Sequence, residues 1–514
     1  MFLKSMSNSK GVQFYWSQKN PTVAKKIYQK YCKEGDIIFD PFLGAGSSLY
    51  GVRDTKFKFV GVELNEMPYQ ICCFNSKGLN STLIENLKQE LFQLKLKYLE
   101  FYKYELSNGK KVIVERVLFD DKEDPKLKGI SFLDSEKEQH KLENNIELFA
   151  LYKQRYLHYK KNNSKQSDLI LEKNSRIAIK SEMYLSSIFS PINFHILNLI
   201  SKEISQNMKF ILGSVLHLCR LTDVKSQSQF PYWIPKNNIV DRNIFTSIEK
   251  KIIQLSKINY SEINKVSSFK ELEETDNSCL LFNKAIQKIK NIDIPDNSID
   301  FVLTDPPYFD QVAYSEYLKI WEHFLGYKSY FKDEIIVSQR VKNTKETHHY
   351  LGLMAEAFKI IFNKLKVNGN MIIYFKDSRM DKMAEFLNVL NDVGFDFNKQ
   401  EYLKSRKFTY KQNTSKKSTL DGESIFHFIK KDKTKKIINK SKKNTASIEM
   451  FITEYLNKNK KASLGELLNN GLLKYLYDNN SLELISNKKS FSNYIKNICD
   501  YIDEERLYVL KKEE

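Results

Sequence analysis

Two short segments, far apart in the chain, carry the residues that could do chemistry. One is TDPPYFDQVAYSEY, which begins at Thr304 directly after the apolar run IDFVL. Its two prolines cannot continue a sheet ladder, so they would stop a strand and hold Asp305 and Tyr308 in a rigid turn. Asp305 and the carbonyl of Pro306 could grip an exocyclic amino group, and an extruded base could stack on a floor made by Pro307 and Tyr308. A proline turn with a core tyrosine is the alternative.

The other segment, DPFLGAGSS at residues 40–48, has the pattern of a nucleoside site. Gly44 and Gly46 allow a tight turn and a close backbone approach at the start of a helix. GVELN ends the next strand with Glu63, about 20 residues further on, where a carboxylate can accept hydrogen bonds from both ribose hydroxyls. Asp40 would repel a phosphate and attract the ammonium of a methionine moiety. S-adenosylmethionine therefore fits better than NAD or ATP.

Strands and helices alternate around both segments, which predicts an α/β fold with a doubly wound, mostly parallel, Rossmann-like sheet. A large, mainly helical insertion and a small helical C-terminal module complete the prediction. The predicted units are 11–76 and 276–430 for the two parts of the sheet domain, 77–275 for the insertion, 431–445 for a basic linker and 446–514 for the C-terminal module.

Composition restricts the class of protein. The formal charge of +19 favours a phosphate-rich partner, although a chain rich in Lys, Asn and Ile can also reflect biased coding. The six cysteines have no zinc-ligand spacing, and His348 and His349 lack partners, so no metal site is predicted. Without a signal peptide or a membrane span, a soluble cytoplasmic protein is expected.

A family resemblance joins these segments. DPFLGAGSS, GVELN and TDPPY, in that order, resemble motifs I, II and IV of the amino-methylating (N6-adenine/N4-cytosine) S-adenosylmethionine-dependent DNA methyltransferases of the DPPY type. WSQKNPT, at residues 16–22, is similar to motif X, and the stretch from LLFNKAIQ to DPPY resembles motifs III to IV, with Asn283 near the cofactor's adenine. About 200 residues separate the motif II and motif III equivalents here, and Asn283 and Lys284 replace the usual motif III acid.

The resemblance implies methyl transfer from S-adenosyl-L-methionine to the exocyclic amino group of a flipped base in double-stranded DNA. The catalytic residues it implies are Asp305, Pro306, Pro307 and Tyr308. The cofactor-binding residues it implies are Asp40, Pro41, Phe42, Gly44, Gly46, Glu63 and Asn283.

Adenine N6 is the preferred target because the motif begins with Asp, whereas the cytosine enzymes more often resemble SPPY. The alternatives are N4-cytosine methylation, RNA or protein amide methylation, and a non-catalytic cofactor-binding subunit of a defence assembly. A restriction enzyme or another defence component is a candidate partner.

Three segments compete for DNA contact. The first is an aromatic turn, with Phe230, Tyr232 and Trp233 beside Lys225 and Lys236, which could instead be a packed hydrophobic turn. The second, residues 403–419, joins basic and hydroxyl side chains and could clamp phosphates or be a solvated loop. The third is SLGELLNNGLL, which has a helix-turn-helix pattern but could equally mediate protein contacts.

Overall fold

The structure is a computed structural model that describes residues 19–136, 138–163, 168–174, 177, 179–225, 231–310, 312–339, 344–377, 379–404, 420, 422–431, 447–486 and 491–511. The first α/β unit starts where the Asn20 side chain accepts from the amide of Thr22, 2.9 Å away, and so caps a helix with proline in its first turn. Its elements are α1 (Pro21–Tyr31), β1 (Ile37–Asp40), β2 (Lys58–Glu63) and α2 (Glu66–Ser76).

The insertion follows α2 and combines long helices with an antiparallel sheet. Its helices are α3 (Ser81–Tyr98), α4 (Ile146–Asn163), α5 (Pro191–Ile200), α6 (Gln206–Cys219) and α7 (Ile244–Leu255). Its strands are β3 (Lys103–Glu105), β4 (Lys111–Asp120), β5 (Lys126–Leu133), β6 (Gln139–Glu143), β7 (Ile170–Leu171), β8 (Met183–Tyr184) and β9 (Ile239–Arg242). All but β7 and β8 form one five-stranded sheet.

This five-stranded sheet departs from the mainly helical insertion that the sequence pattern predicts. The reason lies in β4, whose pairing with β5 shifts register between Val114 and Arg116 and again between Leu118 and Phe119. Each such bulge interrupts the two-residue alternation that identifies a strand in a sequence.

The second α/β unit begins earlier than predicted. β10 (Asn264–Val266) and α8 (Phe269–Glu274) lie within the predicted insertion, 77–275, yet β10 is the edge strand of the central sheet. The following elements are β11 (Ser278–Asn283), β12 (Ile299–Thr304), α9 (Tyr314–Tyr317), α10 (Lys319–Leu325), β13 (Ser338–Gln339), β14 (Thr344–Lys345), α11 (Thr347–Lys364), β15 (Leu365–Phe375), α12 (Met380–Val393), β16 (Phe395–Lys404) and β17 (Gly422–Lys430).

The central sheet has eight strands in the order β10-β11-β2-β1-β12-β15-β17-β16. The first six are parallel, and β17 and β16 pair antiparallel at one edge. This confirms the predicted Rossmann-like sheet. The strand order reverses between β1 and β12, where Ile38 is paired with Phe301. Ligands of open α/β sheets bind at the carboxyl ends of the strands at such a reversal.

Helices cover both faces of the sheet. On one face, Val23, Ile27 and Tyr28 of α1 and Cys72 of α2 are buried in one apolar cluster. On the other face, α8, α11 and α12 pack in a second cluster. No helix among the described residues is both long enough and apolar enough to cross a bilayer.

The C-terminal region packs onto the antiparallel edge of the sheet. It comprises α13 (Ile448–Asn459), α14 (Leu464–Asn469), α15 (Leu472–Asp478), α16 (Glu483–Ser486), α17 (Phe491–Ile495) and a hairpin of β18 (Cys499–Ile502) and β19 (Leu507–Leu510). Leu467, Leu472 and Leu476 are buried in the same cluster as α11 and α12. The region therefore shares a core with the sheet, and its hairpin was not predicted.

Gln400 of β16 makes the central polar contact of that interface. Its amide nitrogen donates to Ser424, 3.0 Å away, and to the carbonyl of Leu468, 3.2 Å away. Its oxygen accepts from the amides of Leu473, at 2.9 Å, and Lys474, at 3.4 Å, which are the second and third amides of α15. Those amides have no partner within the helix, so Gln400 acts as their cap.

Gln400→Ala should loosen this edge. Leaving buried polar groups unpaired costs about 2 kcal/mol, which corresponds to roughly 30-fold faster opening of α15. Hydrogen exchange of the amides at residues 472–476 measures the change. Gln89→Ala, an exposed site on α3, is the matched control. Equal protection in the two variants would contradict the capping role.

Candidate active site

A concave pocket lies at the carboxyl ends of β1, β2, β12 and β15, at the strand reversal described above. The loops after these strands and the segment after β11 form its walls. Its lining includes Lys19, Asn20, Asp40, Pro41, Phe42, Gly44, Ser48, Glu63, Leu64, Asn65, Lys284, Ile286, Thr304, Asp305, Pro307, Tyr314, Asp333, Glu334, Ile335 and Tyr374. The two predicted segments, 40–48 and 304–308, therefore meet in one pocket.

Asp40 joins the two halves of the site. It is buried and accepts hydrogen bonds from the Thr304 hydroxyl at 2.7 Å, from the Phe42 amide at 3.1 Å, and from the Ser48 hydroxyl. Burial raises the pKa of Asp40 to about 6, and these hydrogen bonds oppose the rise. Each carboxylate oxygen has two lone pairs, so Asp40 can fix the loop and still present negative charge to the pocket.

Glu63 organises the glycine turn. Its carboxylate accepts from the amides of Gly44 and Asn65, each at 2.8 Å, and burial raises its pKa to about 7. Gly44 and Gly46 have positive φ values of 54° and 82°, which a side chain rarely tolerates. A Cβ on Gly46 would lie 2.8 Å from the sulfur of Cys72. Gly46 is outside the pocket lining, so it shapes the turn from behind.

Asn283 also lies behind the pocket wall. Its side-chain amide donates to the carbonyls of Glu63 and Leu64, at 3.0 Å each. It thereby ties the end of β2 to the segment that follows β11, of which Lys284 and Ile286 line the pocket. The expected contact between Asn283 and the cofactor's adenine stays a prediction, and these two bonds use only the side-chain nitrogen.

Asp305 and Tyr308 form the far side of the site. Asp305 is partly buried, which raises the pKa of its carboxyl, and it lies 3.3 Å from the ammonium of Lys19. The Tyr308 hydroxyl is within hydrogen-bonding reach of both Asp305 and the Tyr374 carbonyl, the latter at 2.6 Å. Its one proton serves a single acceptor at a time.

The Pro307 carbonyl accepts from the Tyr350 hydroxyl, 2.7 Å away. Pro306 and Tyr308 do not line the pocket, whereas Asp305 and Pro307 do.

Sequence reasoning missed two charged groups beside Asp305. Lys19 precedes α1 and forms ion pairs with both Asp305 and Glu423. Lys19 stands in WSQKNPT, which the resemblance had singled out as a whole, but Glu423 had no sequence signal. It reaches the site because β17 runs antiparallel to β15, with Ser424 opposite Phe375 at the carboxyl edge.

A third group comes from the segment after α10. Glu334 lines the pocket with Asp333 and accepts from the amide of Ser315, at 3.2 Å, and from its hydroxyl. Burial raises the pKa of Glu334 to about 6. This segment has no recognisable motif, so only the tertiary fold reveals its place in the site.

The charges of the lining favour a cationic ligand. Five carboxylates, Asp40, Glu63, Asp305, Asp333 and Glu334, face two lysines. Both lysines already have acidic partners, Lys19 as above and Lys284 with Asp293 at 2.9 Å. A di- or triphosphate would be repelled here, whereas a ligand with a sulfonium and an ammonium would be attracted.

The predicted DNA-contacting segments are differently placed. Tyr232 of the aromatic turn is buried and its hydroxyl donates to the Glu316 carbonyl, which fits a packed turn, while Trp233 is 37% exposed. Phe230 and residues 405–419 lie outside the described residues. β16 ends at Lys404 and β17 begins at Gly422, next to Glu423.

The structure packs the helix-turn-helix candidate SLGELLNNGLL against the sheet. α14 and α15 do form two helices around Gly471, which has a φ of 108°. However, Gln400 occupies amides in the first turn of α15, and its leucines face the sheet core. The end of the helix that a recognition helix would insert into DNA is therefore held by protein.

Potential metal ligands come together away from the pocket. Asp134, Glu138 and His140 of the insertion have ligand atoms within 4.8 Å of one another. Lys110 already pairs with Asp134 at 2.8 Å, and His140 also contacts Glu143 at 2.9 Å. His348 is exposed and lies 3.3 Å from Glu346.

The chain is similar in sequence to known DNA methylases. Residues 2–72 match the N6/N4 methyltransferase family model, described as DNA methylase. The chain is 22% identical over 335 residues to the Type II methyltransferase M.MjaII of Methanocaldococcus jannaschii, a match that covers 60% of each protein. The chain thus spans about 60% of the length of that curated relative.

Two solved methyltransferase structures are similar to part of the chain. A Thermus thermophilus protein assigned as a DNA modification methylase, in complex with S-adenosyl-L-methionine, has a TM-score of 0.16 and 16% identity, and the match covers 27% of this chain and 49% of that one. The antibiotic-resistance methyltransferase Kmr has a TM-score of 0.17 and 7% identity, covering 32% and 66%. Because these structural overlaps are small, the assignment of a Rossmann-like fold depends on the strand order of the central sheet.

The matched family and the charge of the pocket agree on S-adenosyl-L-methionine as the cofactor. Asp40 and Glu63 are the carboxylates that would face it. The expected cofactor residues Pro41, Phe42 and Gly44 also line the pocket, and Gly46 and Asn283 support it from behind.

Cofactor affinity should depend on pH through Glu63. Above about pH 7 the ionised carboxylate can accept from ribose hydroxyls, and below it a proton occupies an acceptor. We expect the dissociation constant of S-adenosylmethionine, measured by calorimetry, to rise by up to about tenfold per unit as the pH falls below 7. Glu63→Gln should bind more weakly and flatten this dependence. Glu34→Gln, at an exposed site, should keep the wild-type curve, and a pH-independent wild type would contradict the assignment.

Proposed function

We propose that this chain methylates the exocyclic amino group of a base in double-stranded DNA, with adenine N6 as the target. The match of residues 2–72 to the N6/N4 methyltransferase family model and the 22% identity to a Type II methyltransferase support this proposal. The observation that carries the proposal is the placement of Asp305 and Pro307 in the same pocket as Asp40 and Glu63. A group that can hold an amine therefore faces groups suited to a cationic methyl donor.

The chain's first task is to hold the cofactor. S-adenosylmethionine supplies an electrophilic methyl group when bound. Asp40 and Glu63 would attract its positive charges and accept from its hydroxyls, while Ile286 and Ile335 offer apolar lining. The turn of residues 41–45 brings its backbone to the pocket because Gly44 adopts a positive φ.

The second task is to hold the target amine. Asp305 and the Pro306 carbonyl would both accept from it, which draws the nitrogen lone pair out of the ring and toward the methyl group. The Tyr308 hydroxyl contacts Asp305 but can donate to the Tyr374 carbonyl instead. That second acceptor leaves Asp305 available to the amine.

Positioning supplies most of the acceleration in this mechanism. The electrophile is already reactive, so neither a strong base nor a metal is required. The base would leave the duplex at a cost of a few kcal/mol and rest on Pro307 and Tyr308. After transfer the nitrogen carries a positive charge, and its extra proton passes to Asp305 or to solvent.

Adenine N6 is preferred to cytosine N4 because the motif begins with aspartate. The same two acceptors could serve either base, so N4-cytosine methylation is the competing outcome of the test. The insertion is the part of the chain proposed to read the target sequence, and a restriction enzyme or other defence component is a proposed partner.

Removal of the Asp305 carboxylate should abolish transfer. We expect Asp305→Ala to lower the rate of tritiated methyl transfer to unmethylated duplex DNA by about 100-fold or more, as loss of a preorganised polar group does elsewhere. Cofactor affinity should change little. Asp392→Ala, at an exposed position on α12, is the control and should keep the wild-type rate.

Nucleoside analysis of the labelled DNA identifies the product. Label in N6-methyladenine agrees with the full proposal, and label in N4-methylcytosine corrects the base alone. Wild-type protein that binds the cofactor but labels no DNA contradicts the proposed substrate.

Tyr308 tests the stacking role. Tyr308→Phe keeps the ring and should remain within a few-fold of the wild-type rate, because the phenol only shares a proton with Asp305. Tyr308→Ala removes the ring and should lower kcat/KM for DNA by roughly 10- to 100-fold, the range that stacking of one base on an aromatic ring supplies. Equal loss in both variants would show that the hydroxyl matters and the ring does not. Steady-state kinetics at saturating cofactor give the comparison.

A further inference from the structure

We propose that Lys19 is a positioning residue which holds two carboxylates, Asp305 and Glu423, in one ion cluster and thereby keeps Asp305 ready to accept the target amine and its proton. This inference rests on the proposed methyl transfer for its catalytic meaning. The observation that one lysine pairs with two acids does not depend on the proposed function.

Three separate parts of the chain build the cluster. Lys19 comes from the segment before α1, Asp305 follows β12, and Glu423 is the second residue of β17. The Lys19 ammonium lies 3.3 Å from Asp305 and is also paired with Glu423. The three side chains are only 17–23% exposed, so water screens their interaction far less than at the surface.

The aromatic ring of Tyr374 also contacts the Lys19 ammonium. The Lys19 ammonium is 5.3 Å from the ring centroid, within the range of a cation–π contact. A lysine held by two carboxylates and an aromatic face has little freedom to turn away. This geometry distinguishes it from a flexible surface lysine.

The groups that face Asp305 set its protonation. Lys19 and Glu423 face it from neighbouring elements, and Tyr308 faces it from its own turn. Asp40 of β1 and Tyr374 of β15 also feel its charge. Partial burial and Glu423 raise the pKa of Asp305, whereas Lys19 lowers it. Without the lysine, two partly buried acids would face each other, and one would take up a proton.

The cluster fits the charge changes of the reaction. With both acids ionised it carries one net negative charge, which complements the positive charge that develops on the amine during transfer. When the extra N–H bond breaks and its proton bonds to Asp305, the cluster becomes neutral. Lys19 and Glu423 then remain as an intact ion pair, so the proton is received without leaving an unpaired buried charge.

Substitutions at the two partners should move the pH profile in opposite directions. In Lys19→Met the pKa of Asp305 should rise, and the acidic limb of kcat for methyl transfer should move up by about 1 to 3 pH units. In Glu423→Gln the repulsion is lost, and the limb should move down. Lys19→Arg keeps the charge and should restore most of the wild-type profile. A merely structural lysine would lower activity without these opposed shifts.

Infrared spectroscopy of the unreacted protein tests the same inference without catalysis. At neutral pH, Lys19→Met should show protonated carboxyl absorption beyond that which Glu63 gives in the wild type, and Lys19→Met/Asp305→Asn should lose this additional absorption again. The control is Lys364→Met, which removes the ion pair of another buried lysine, to the half-exposed Asp296 at 2.7 Å, beside the amino ends of β12 and β15. It should give no such additional absorption and no shift of the pH limb.

The outcomes separate the two proposals. An unmoved pH limb and no additional carboxyl absorption in Lys19→Met relative to the wild type, with the variant folded, overturn the role of Lys19. Wild type that methylates no DNA contradicts the proposed function, while the infrared result still decides whether the cluster controls Asp305.

Discussion

Parallel pairing of β1 with β12 brings together residues that lie 264 positions apart in the chain, and the Thr304 hydroxyl bound to Asp40 marks the junction. Every part of the site depends on this pairing. The pairing creates the strand reversal at which the pocket lies, and it places the glycine turn after β1 opposite the proline turn after β12. The chain segments that follow these two strands diverge, which leaves a gap for a ligand. The insertion can be long because it folds around an apolar cluster that it shares with α2 and α10, and this packing offsets the cost of closing the loop.

The pocket concentrates negative charge in a poorly solvated place, which costs stability in the protein alone. The raised pKa values of Asp40, Glu63 and Glu334 are the mark of that cost. Their contribution to stability is largest at low pH, and it is lost as the pH rises from about 4, where these carboxyls ionise in the unfolded chain, through their folded-state pKa values of about 6 to 7. A cationic ligand would offset the loss, so the same feature that strains the fold favours the cofactor. Hydrogen bonds from Gly44, Phe42 and Ser315 make the arrangement tolerable.

The antiparallel edge of the sheet links the C-terminal region to the site. β17 runs from Glu423 in the ion cluster to Lys430, and β16 beside it carries Gln400, which caps α15. The C-terminal helices therefore support the strand that delivers an acid to Asp305. The sequence predicts the C-terminal region as a separate module. In the structure its leucines are buried in the same apolar cluster as the sheet, so the region supports the strand that carries Glu423.

The sequence by itself determined the sheet class, the two motif loops and the residue types at the strand ends, because periodicity, glycine and proline act locally. The acids Asp40, Glu63 and Asp305 were predicted for the same reason. Only the tertiary structure decided that Gly46 and Asn283 stand behind the pocket, that the insertion contains a five-stranded sheet with bulged pairing, and that Gln400 caps the first turn of α15. It alone placed Lys19, Glu334 and Glu423 at the site. Their positions follow from strand pairing and packing between distant segments, and such contacts leave no local pattern in a single sequence.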